Sequence, residues 1–354
     1  MELNATIPAL IREQAAAHGG ETILRRKDRG IWKALTWSDL DARVAEIGLG
    51  LCEAGLAAGE TVAILSETRP EQVFADLAVV SCGGVSLAIH PEEDAAIVAA
   101  ILRDTRPAMA IVEGEEQLDK LLSVRGQCPP PRTIAILDMK GLRDFHDPAC
   151  VSLADLIARG TKGSNWRATA DSIRGDQPAA VLLPRGGGTP MTLTHADILA
   201  RVAQAAQTLE VRAGDERLAV LPLSDPAERL FGLYLALKTG IVGNYLENPE
   251  TATENLREVK PTVFGANVEA WERLHARIGG LADAATGVQR ALYRWAIASG
   301  GGGVANWLVS PAIRAELGFS RLRVAYVGDG TLSPELAAWA KALGITVRHL
   351  DMPA

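Results

Sequence analysis

The sequence contains no hydrophobic run long enough for a membrane span, which needs about 18 to 20 apolar residues. Its first residues, Met-Glu-Leu-Asn-Ala, lack the basic-then-apolar order of a secretory signal peptide. We therefore expect a cytoplasmic protein that does not span a membrane.

Basic residues are in the minority and cysteine is scarce. The 36 Lys and Arg residues are outnumbered by 43 Asp and Glu residues, and the net charge of −7 disfavours nucleic-acid binding, which needs a basic stripe. The four cysteines, Cys52, Cys82, Cys128 and Cys150, form no C-x-x-C pair and no Cys/His pattern with zinc spacing. Reduced thiols are expected rather than disulfides, with Cys52 and Cys82 acting as small apolar residues in helices.

The composition is that of a globular protein, since 48% of the 354 residues are hydrophobic and 22% are charged. Short apolar strands alternate with amphipathic helices, as in Thr61–Ser66, Pro70–Cys82 and Val85–Ile89. This alternation predicts an α/β fold of mostly parallel sheets flanked by helices. A second alternating unit begins at residue 178, so two α/β subdomains with adjacent, mostly parallel sheets are predicted, the first in residues 1–177 and the second in residues 178–354.

A glycine-rich loop follows a predicted strand in the segment PAAVLLPRGGGTPMTLTHADI, residues 178–198. Thr194 and His195 then begin an amphipathic helix that is predicted to reach residue 209. The order of strand, glycine loop and helix is typical of a phosphate-binding loop. Glycines let backbone N–H groups approach the anion, and the helix N-terminus adds partial positive charge. A plain tight turn is the alternative interpretation.

Several segments resemble the AMP-forming long-chain acyl-CoA synthetases. Their loop reads roughly T-S-G-T-T-G-x-P-K-G followed by L-T-H, and Gly186, Gly188, Pro190 and Leu193-Thr194-His195 fit it. Similar segments are Gly30-Ile31-Trp32, Gly59–Ser66, Leu221–Ser224 with Glu228–Gly232, Trp271–Ile278, and Val327–Leu336, which matches the loop on the adenine side. The likeness extends from about residue 7 to residue 349.

The resemblance implies the fold of the N-terminal domain of an acyl-CoA synthetase, without the C-terminal lid domain. It implies ATP or AMP with Mg²⁺ as the cofactor, with binding expected to be weak or absent in this chain, and a fatty acyl group as a further ligand. It also implies which residues bind the nucleotide: Gly186, Gly187, Gly188, Thr189, Thr194, Asp329, Gly330 and Thr331. No catalytic residue and no metal ligand is assigned.

Other positions depart from the family pattern. Pro184 and Arg185 stand where Thr-Ser is expected, Met191 stands where the phosphate-binding lysine is expected, and Asp225 replaces a histidine. Past the last predicted strand there is no Y-G-x-T-E motif, and the sequence stops at Ala354. We therefore expect a degenerate, truncated synthetase-like protein that cannot activate fatty acids alone.

Such a protein would act by binding, or by pairing with itself or with a full-length synthetase. The alternative is an active long-chain fatty acid–CoA ligase with a divergent site that a partner chain completes. A gene fragment without a selected role is a third interpretation.

The roles of some individual residues stay open. Arg185 either supplies a replacement cation to the loop or is a solvated surface residue. His195 is expected to cap or adjoin the helix start, with catalysis as the alternative. Glu228 and Arg229 are interpreted as a pair on a helix surface, and Ser38 is predicted to cap the helix that follows it.

Overall fold

The computed structural model describes residues 5–160, 166–186, 188–298, 303–328 and 330–351, with the backbone alone for 303–308. Fourteen strands are found in these ranges. They are β1 (Thr22–Asp28), β2 (Ile31–Thr36), β3 (Thr61–Leu65), β4 (Val85–Ile89), β5 (Met109–Val112), β6 (Thr133–Ile136), β7 (Cys150–Ser152), β8 (Pro178–Leu182), β9 (Met191–Thr194), β10 (Glu216–Ala219), β11 (Val242–Tyr245), β12 (Val263–Ala266), β13 (Val324–Val327) and β14 (Val347–His349).

Helices connect these strands. They are α1 (Ile7–His18), α2 (Trp37–Glu53), α3 (Pro70–Ser81), α4 (Ala95–Thr105), α5 (Glu115–Ser123), α6 (Leu153–Gly160), α7 (Trp166–Ser172), α8 (His195–Leu209), α9 (Leu235–Thr239), α10 (Ala252–Val259), α11 (Val268–Ala284), α12 (Gly287–Ala298), α13 (Gly303–Glu316) and α14 (Pro334–Ala342). A π-helix (Glu228–Tyr234) runs directly into α9, and a short 3₁₀ turn (Pro249–Thr251) precedes α10.

The largest sheet has seven strands in the order β7-β6-β5-β3-β4-β8-β9. All its neighbouring pairs are parallel except β8 with β9, which is antiparallel. Its central strands β3, β4 and β5 are almost entirely buried, as expected for parallel strands covered by helices on both faces.

The other strands form two smaller sheets. One has the order β10-β11-β1-β2, with β10, β11 and β1 parallel and β2 antiparallel to β1. The second has the order β12-β13-β14 and is wholly parallel. This small sheet packs on an aromatic cluster in which Phe264 meets Trp271 edge to face at 5.1 Å between ring centroids, with Phe319 beside both. Such aromatic pairs add to the stability gained from burial alone.

The α/β class with helices flanking parallel-rich sheets is confirmed, but the number of sheets differs from the prediction. The strands from residue 178 onward do not all belong to one sheet. Instead, β8 and β9 extend the first sheet, β10 and β11 pair with β1, and only β12, β13 and β14 form a separate sheet. Both larger sheets therefore contain strands from either side of position 177.

The predicted cap of α2 is wrong by two residues. Thr36, not Ser38, precedes the helix, and its hydroxyl accepts a hydrogen bond from the Asp39 N–H. The Asp39 carboxylate accepts from the Thr36 N–H in return, at 2.8 Å. This reciprocal capping box satisfies two backbone donors that the helix leaves free, so it outcompetes a cap at Ser38.

Candidate functional site

A cleft of about 1060 Å³ lies where the three sheets meet. Its walls come from the segments that follow the carboxyl ends of strands in all three sheets, including Glu67, His90, Glu113, Leu183, Val220 and Asn267. In open α/β sheets the carboxyl ends of parallel strands are the place where ligands bind. The cleft is therefore the candidate site on topological grounds.

The glycine-rich loop forms one wall of this cleft. Gly186 adopts a left-handed backbone conformation with φ of +80°, which glycine reaches without steric penalty. Thr189 and Met191 line the cleft, while Gly188 packs against the Pro184 ring. Gly187 lies outside the described residues. The position of the predicted phosphate loop thus agrees with the cleft.

The helix expected to complete the phosphate cradle lies elsewhere. Strand β9 comes between the loop and α8, and it pairs antiparallel with β8 so that Thr194 lies opposite Pro178. The N-terminus of α8 is therefore at the amino end of β8, whereas the glycine loop is at its carboxyl end. The Thr194 hydroxyl accepts from the Asp197 N–H as a helix cap. The expectation that Thr194 and the α8 N-terminus adjoin the phosphate loop is wrong.

A backbone N–H of the loop is already hydrogen-bonded to a carboxylate of the protein itself. The Gly186 N–H donates to Glu93 Oε1 at 2.7 Å, and Glu93 is 7% exposed. Next to it, Arg185 Nη2 donates to Glu92 Oε2 at 2.6 Å. Arg185 is thus exposed and engaged by a neighbouring acid, and it also lines the cleft.

The other cations of the cleft are also paired. Five basic side chains line the cleft, and each has a carboxylate partner. Arg26 pairs with Glu71, Lys27 with Glu258, Arg69 with Glu71 and Glu113, Arg185 with Glu92, and Arg273 with Glu269. Nine acidic side chains line the same walls: Asp28, Glu67, Glu71, Glu92, Glu93, Glu113, Asp225, Glu247 and Glu269. The cleft is net negative, which opposes the binding of a polyanion.

The crowding of carboxylates in the cleft changes the pKa of one lining residue, Glu67. Burial raises the pKa of Glu67, and the carboxylates of Glu113 and Glu92 raise it further. Glu113 is itself held by the Glu67 N–H at 2.7 Å and by Arg69 Nη1 at 3.1 Å. In the described ranges these acids do not converge on a common point as metal ligands would, and no cluster of three metal-ligating side chains is found there.

The remaining predicted nucleotide residues follow β13. Gly330 has a φ of +75° and lies against Val268, and Thr331 is exposed. Neither belongs to the cleft walls that the described residues form. Asp329 lies outside the described residues.

Sequence reasoning missed a buried polar network beneath the cleft wall. Arg229 pairs with Asp76 and donates to the carbonyl oxygens of Val181 and Ser86, at 3.1 and 3.0 Å. Tyr234 donates to the second oxygen of Asp76 at 2.7 Å. The network joins the π-helix to α3, β4 and β8.

A second buried ion pair joins Glu228 to Arg217 of β10. Burial raises the pKa of Glu228, against the opposing effect of the Arg217 guanidinium. The interpretation of Glu228 and Arg229 as a surface pair is wrong, because each is at most 2% exposed and each pairs with a different partner. The sequence does indicate this burial, because Glu228 and Arg229 directly precede the apolar run LFGLYLAL, which is typical of a fully buried helix.

His195 is the first residue of α8, as expected, and Thr194 supplies the cap. The imidazole is fully buried, its Nδ1 accepts from the Ile7 N–H at 3.3 Å, and burial lowers the pKa of His195 to about 4. It connects α1 to α8 at the amino end of β8, whereas the cleft lies at the carboxyl end of that strand. This placement is structural rather than catalytic.

Together, the parallel-rich sheets, the cleft at their carboxyl ends and the glycine loop define the class of the chain as an AMP-binding domain. The chain belongs to the AMP-binding enzyme family, whose model matches residues 11–350. In the described part of the chain, no helix combines the length and the apolar character needed to cross a membrane.

Named relatives agree with this family. The chain is 23% identical over 374 residues to the long-chain-fatty-acid–CoA ligase ACSBG2 of Xenopus laevis, which covers 98% of this chain and 50% of that protein. The adenylation domain of a carboxylate reductase from Mycobacterium chelonae aligns with a TM-score of 0.78 at 20% identity, over 99% of this chain and 58% of that one.

The anthranilate CoA ligase AuaEII, solved with anthranoyl-AMP, aligns with a TM-score of 0.72 at 18% identity, over 100% of this chain and 60% of that one. At these identities the structural likeness supports the fold alone. The chain spans about half the length of the ligase ACSBG2 that it matches.

Proposed function

We propose that this chain is an acyl-CoA synthetase-like binding protein that does not activate fatty acids by itself. Family membership supports a cleft of the AMP-binding type, and the relatives named as long-chain fatty acid–CoA ligases support an acyl ligand. The proposed role is to hold a nucleoside, a nucleotide or an acyl group, or to pair with another chain.

The single observation that carries this proposal is the state of the phosphate loop. Its Gly186 N–H is hydrogen-bonded to Glu93, and each basic side chain lining the cleft is already ion-paired. Phosphoryl and adenylyl transfer depend on positioned positive charge that stabilises the transition state. The residues of this cleft therefore do not fit an ATP triphosphate.

The residue types in the loop support the same proposal. Met191 lines the cleft with a thioether where the resemblance places the lysine, and Pro184 replaces a hydroxyl residue. Each lost electrostatic contact lowers the rate of a reaction of this kind by about 10²–10³. Weak ATP binding is expected, with a dissociation constant at or above the millimolar range, about −4 kcal/mol. Mg²⁺ would enter only with such a nucleotide.

The direct test is release of AMP and pyrophosphate by the purified chain, supplied with ATP, Mg²⁺, CoA and fatty acids of several lengths. A characterised long-chain synthetase serves as the positive control. We expect no turnover above the background of ATP alone. A turnover above about 1 s⁻¹, in the ordinary range for enzymes, would contradict the proposal.

Pairing forms the second part of the proposal. Strand β14 lies at an edge of the three-stranded sheet, bonded to β13 on one side, and its residues are half-exposed or exposed. Edge strands offer free backbone groups to another chain. Sedimentation across a concentration series tests this, and a monomer at every concentration, alone and when mixed with a long-chain synthetase, would contradict it.

An active ligase completed by another chain is the alternative function. The observation that favours it is that the chain spans half of ACSBG2, a protein named as a ligase. Mixing the chain with long-chain synthetase fragments and repeating the release assay separates the two proposals. Only the alternative predicts turnover that depends on both polypeptides. A cytoplasmic location is proposed for either case, consistent with four cysteines that are all free thiols.

A further inference from the structure

We infer that Glu93 determines the ligand specificity of the cleft, because its carboxylate occupies the anion position of the glycine loop. The inference rests on the proposed function, in which this cleft binds a ligand of the adenylate class. It adds the chemical class that the loop selects against: a phosphate or pyrophosphate group of the ligand competes with Glu93, whereas an uncharged nucleoside does not.

The geometry is that of a bound anion. Gly186 sits in a left-handed turn that directs its N–H toward Glu93, and the contact of 2.7 Å is that of a charge-assisted hydrogen bond. Glu93 is 7% exposed, so its carboxylate is withdrawn from bulk water. Burial removes water from the Glu93 carboxylate, and the hydrogen bond from the Gly186 N–H replaces part of the lost hydration.

The segment that carries Glu93 is held on several sides. Lys120 of α5 donates to the Pro91 carbonyl oxygen, and Arg185 bonds Glu92 at 2.6 Å. Within the segment, the Glu92 N–H donates to His90 Nδ1 at 3.2 Å, and the Glu93 N–H donates to the His90 carbonyl oxygen at 3.1 Å. These contacts fix the backbone from which the Glu93 side chain reaches the loop.

A ligand phosphate can reach the Gly186 N–H only by displacing this carboxylate, and it then remains beside a like charge. Glu92 and Glu67 add further carboxyl groups to the lining of the cleft. Adenosine carries no charge to be repelled, so its affinity does not depend on Glu93. The difference between adenosine and its phosphorylated forms therefore isolates the effect of this residue.

The experiment titrates the full chain with adenosine, AMP and inorganic pyrophosphate in metal-free buffer, and compares Glu93→Gln with wild type. Glutamine keeps the side-chain length and the acceptor but removes the charge. We expect the affinity for AMP and pyrophosphate to rise about tenfold, with adenosine unchanged. Asp94→Asn is the matched control, because this exposed neighbour has the same charge change and makes no hydrogen bond to the described residues of the loop, and it should alter none of the three.

An unchanged affinity of Glu93→Gln for both AMP and pyrophosphate would overturn the inference, and so would an equal gain in Asp94→Asn. If pyrophosphate binding rises tenfold while adenosine binds to none of the variants, the inference stands and the nucleoside-binding part of the proposed function fails. The two failures are thus distinguishable.

A measurement on wild type removes any dependence on the folding of the variant. The amide NMR signal of Gly186 should stay in place when pyrophosphate is added at micromolar concentrations, since Glu93 already holds that N–H. A shift of this signal at micromolar pyrophosphate would overturn the inference.

Discussion

Arg229 of the π-helix and Asp76 of α3 form an ion pair that crosses 153 positions of the sequence, with side chains 2% and 4% exposed. Ser86 Oγ and Tyr234 Oη also donate to the Asp76 carboxylate, at 2.6 and 2.7 Å. Because the π-helix follows directly on the cleft wall at 224–227, this pair fixes the wall relative to the central sheet.

Removing one partner of the pair should strongly destabilise the protein. Asp76→Asn leaves the Arg229 guanidinium buried without a counter-charge, and we expect the free energy of unfolding to fall by about 3–5 kcal/mol in denaturant titration. Glu269→Gln is the control, because it breaks the exposed Arg273–Glu269 pair and should cost less than about 1 kcal/mol. Similar losses in the two variants would contradict this account of the network.

Acid should destabilise the fold through His195. Burial lowers the pKa of His195 to about 4, below the usual value of 6.5, so the unfolded chain binds a proton in this pH range that the folded chain does not. The stabilising effect of the neutral imidazole is complete above pH 6.5 and is lost as the pH falls toward 4. The loss amounts to about 3 kcal/mol.

The measurement compares the pH dependence of unfolding in wild type with that of His195→Gln, so that carboxylate titrations cancel. The wild type should lose more stability than the variant between pH 6.5 and 4. His146→Gln, at an exposed position, should follow wild type. Parallel curves for wild type and His195→Gln would show that this histidine is not buried in its neutral form.

Local features of the fold could be predicted from the sequence, and long-range ones could not. The periodicity of residues 195–209 predicts a helix, and α8 has the same bounds. No local sequence pattern predicts that β8 pairs with β4, because a short apolar strand can pair with any parallel neighbour. The sheet order therefore had to come from the structure.

The candidate site divides in the same way. Gly186 locates the loop, because its positive φ favours glycine and a glycine is visible in the local sequence. The carboxylate that fills the loop comes from Glu93, which is 93 positions away and looks like an ordinary surface acid within H-P-E-E-D. The burial of Glu228 and Arg229 is hidden likewise, because a charged residue looks the same locally whether its partner is a distant side chain or water.

A lysine at position 191 should improve ATP binding. Met191 is half-buried at the start of β9 and lines the cleft beside the glycine loop. Met191→Lys adds a cation beside the loop that the resemblance assigns to phosphate binding, and we expect ATP affinity to rise about fivefold by calorimetry, about 1 kcal/mol. Met191→Leu keeps the volume without the charge and should not change the affinity. An equal response of the two variants would exclude charge as the cause.

The thiols of Cys52 on α2 and Cys82 after α3 lie 3.5 Å apart, in hydrogen-bonding contact. This contact lowers the pKa of the half-buried Cys52 and raises that of buried Cys82, so Cys52 is the better nucleophile. Treatment with hydrogen peroxide should oxidise Cys52 to a sulfenic acid, releasing water. The Cys82 sulfur should then displace a second water to form a disulfide.

Closing this loop of about 30 residues should stabilise the protein by up to about 3.5 kcal/mol, because it restricts the unfolded chain. Peptide mass spectrometry after peroxide treatment should detect the Cys52–Cys82 crosslink, and thermal unfolding should show a higher midpoint that dithiothreitol reverses. Cys52→Ser should prevent both changes, whereas Cys128→Ser, in a different hydrophobic cluster, should prevent neither. A crosslink between any other two cysteines, or a lower midpoint in the oxidised protein, would contradict the geometry of the α2–α3 contact.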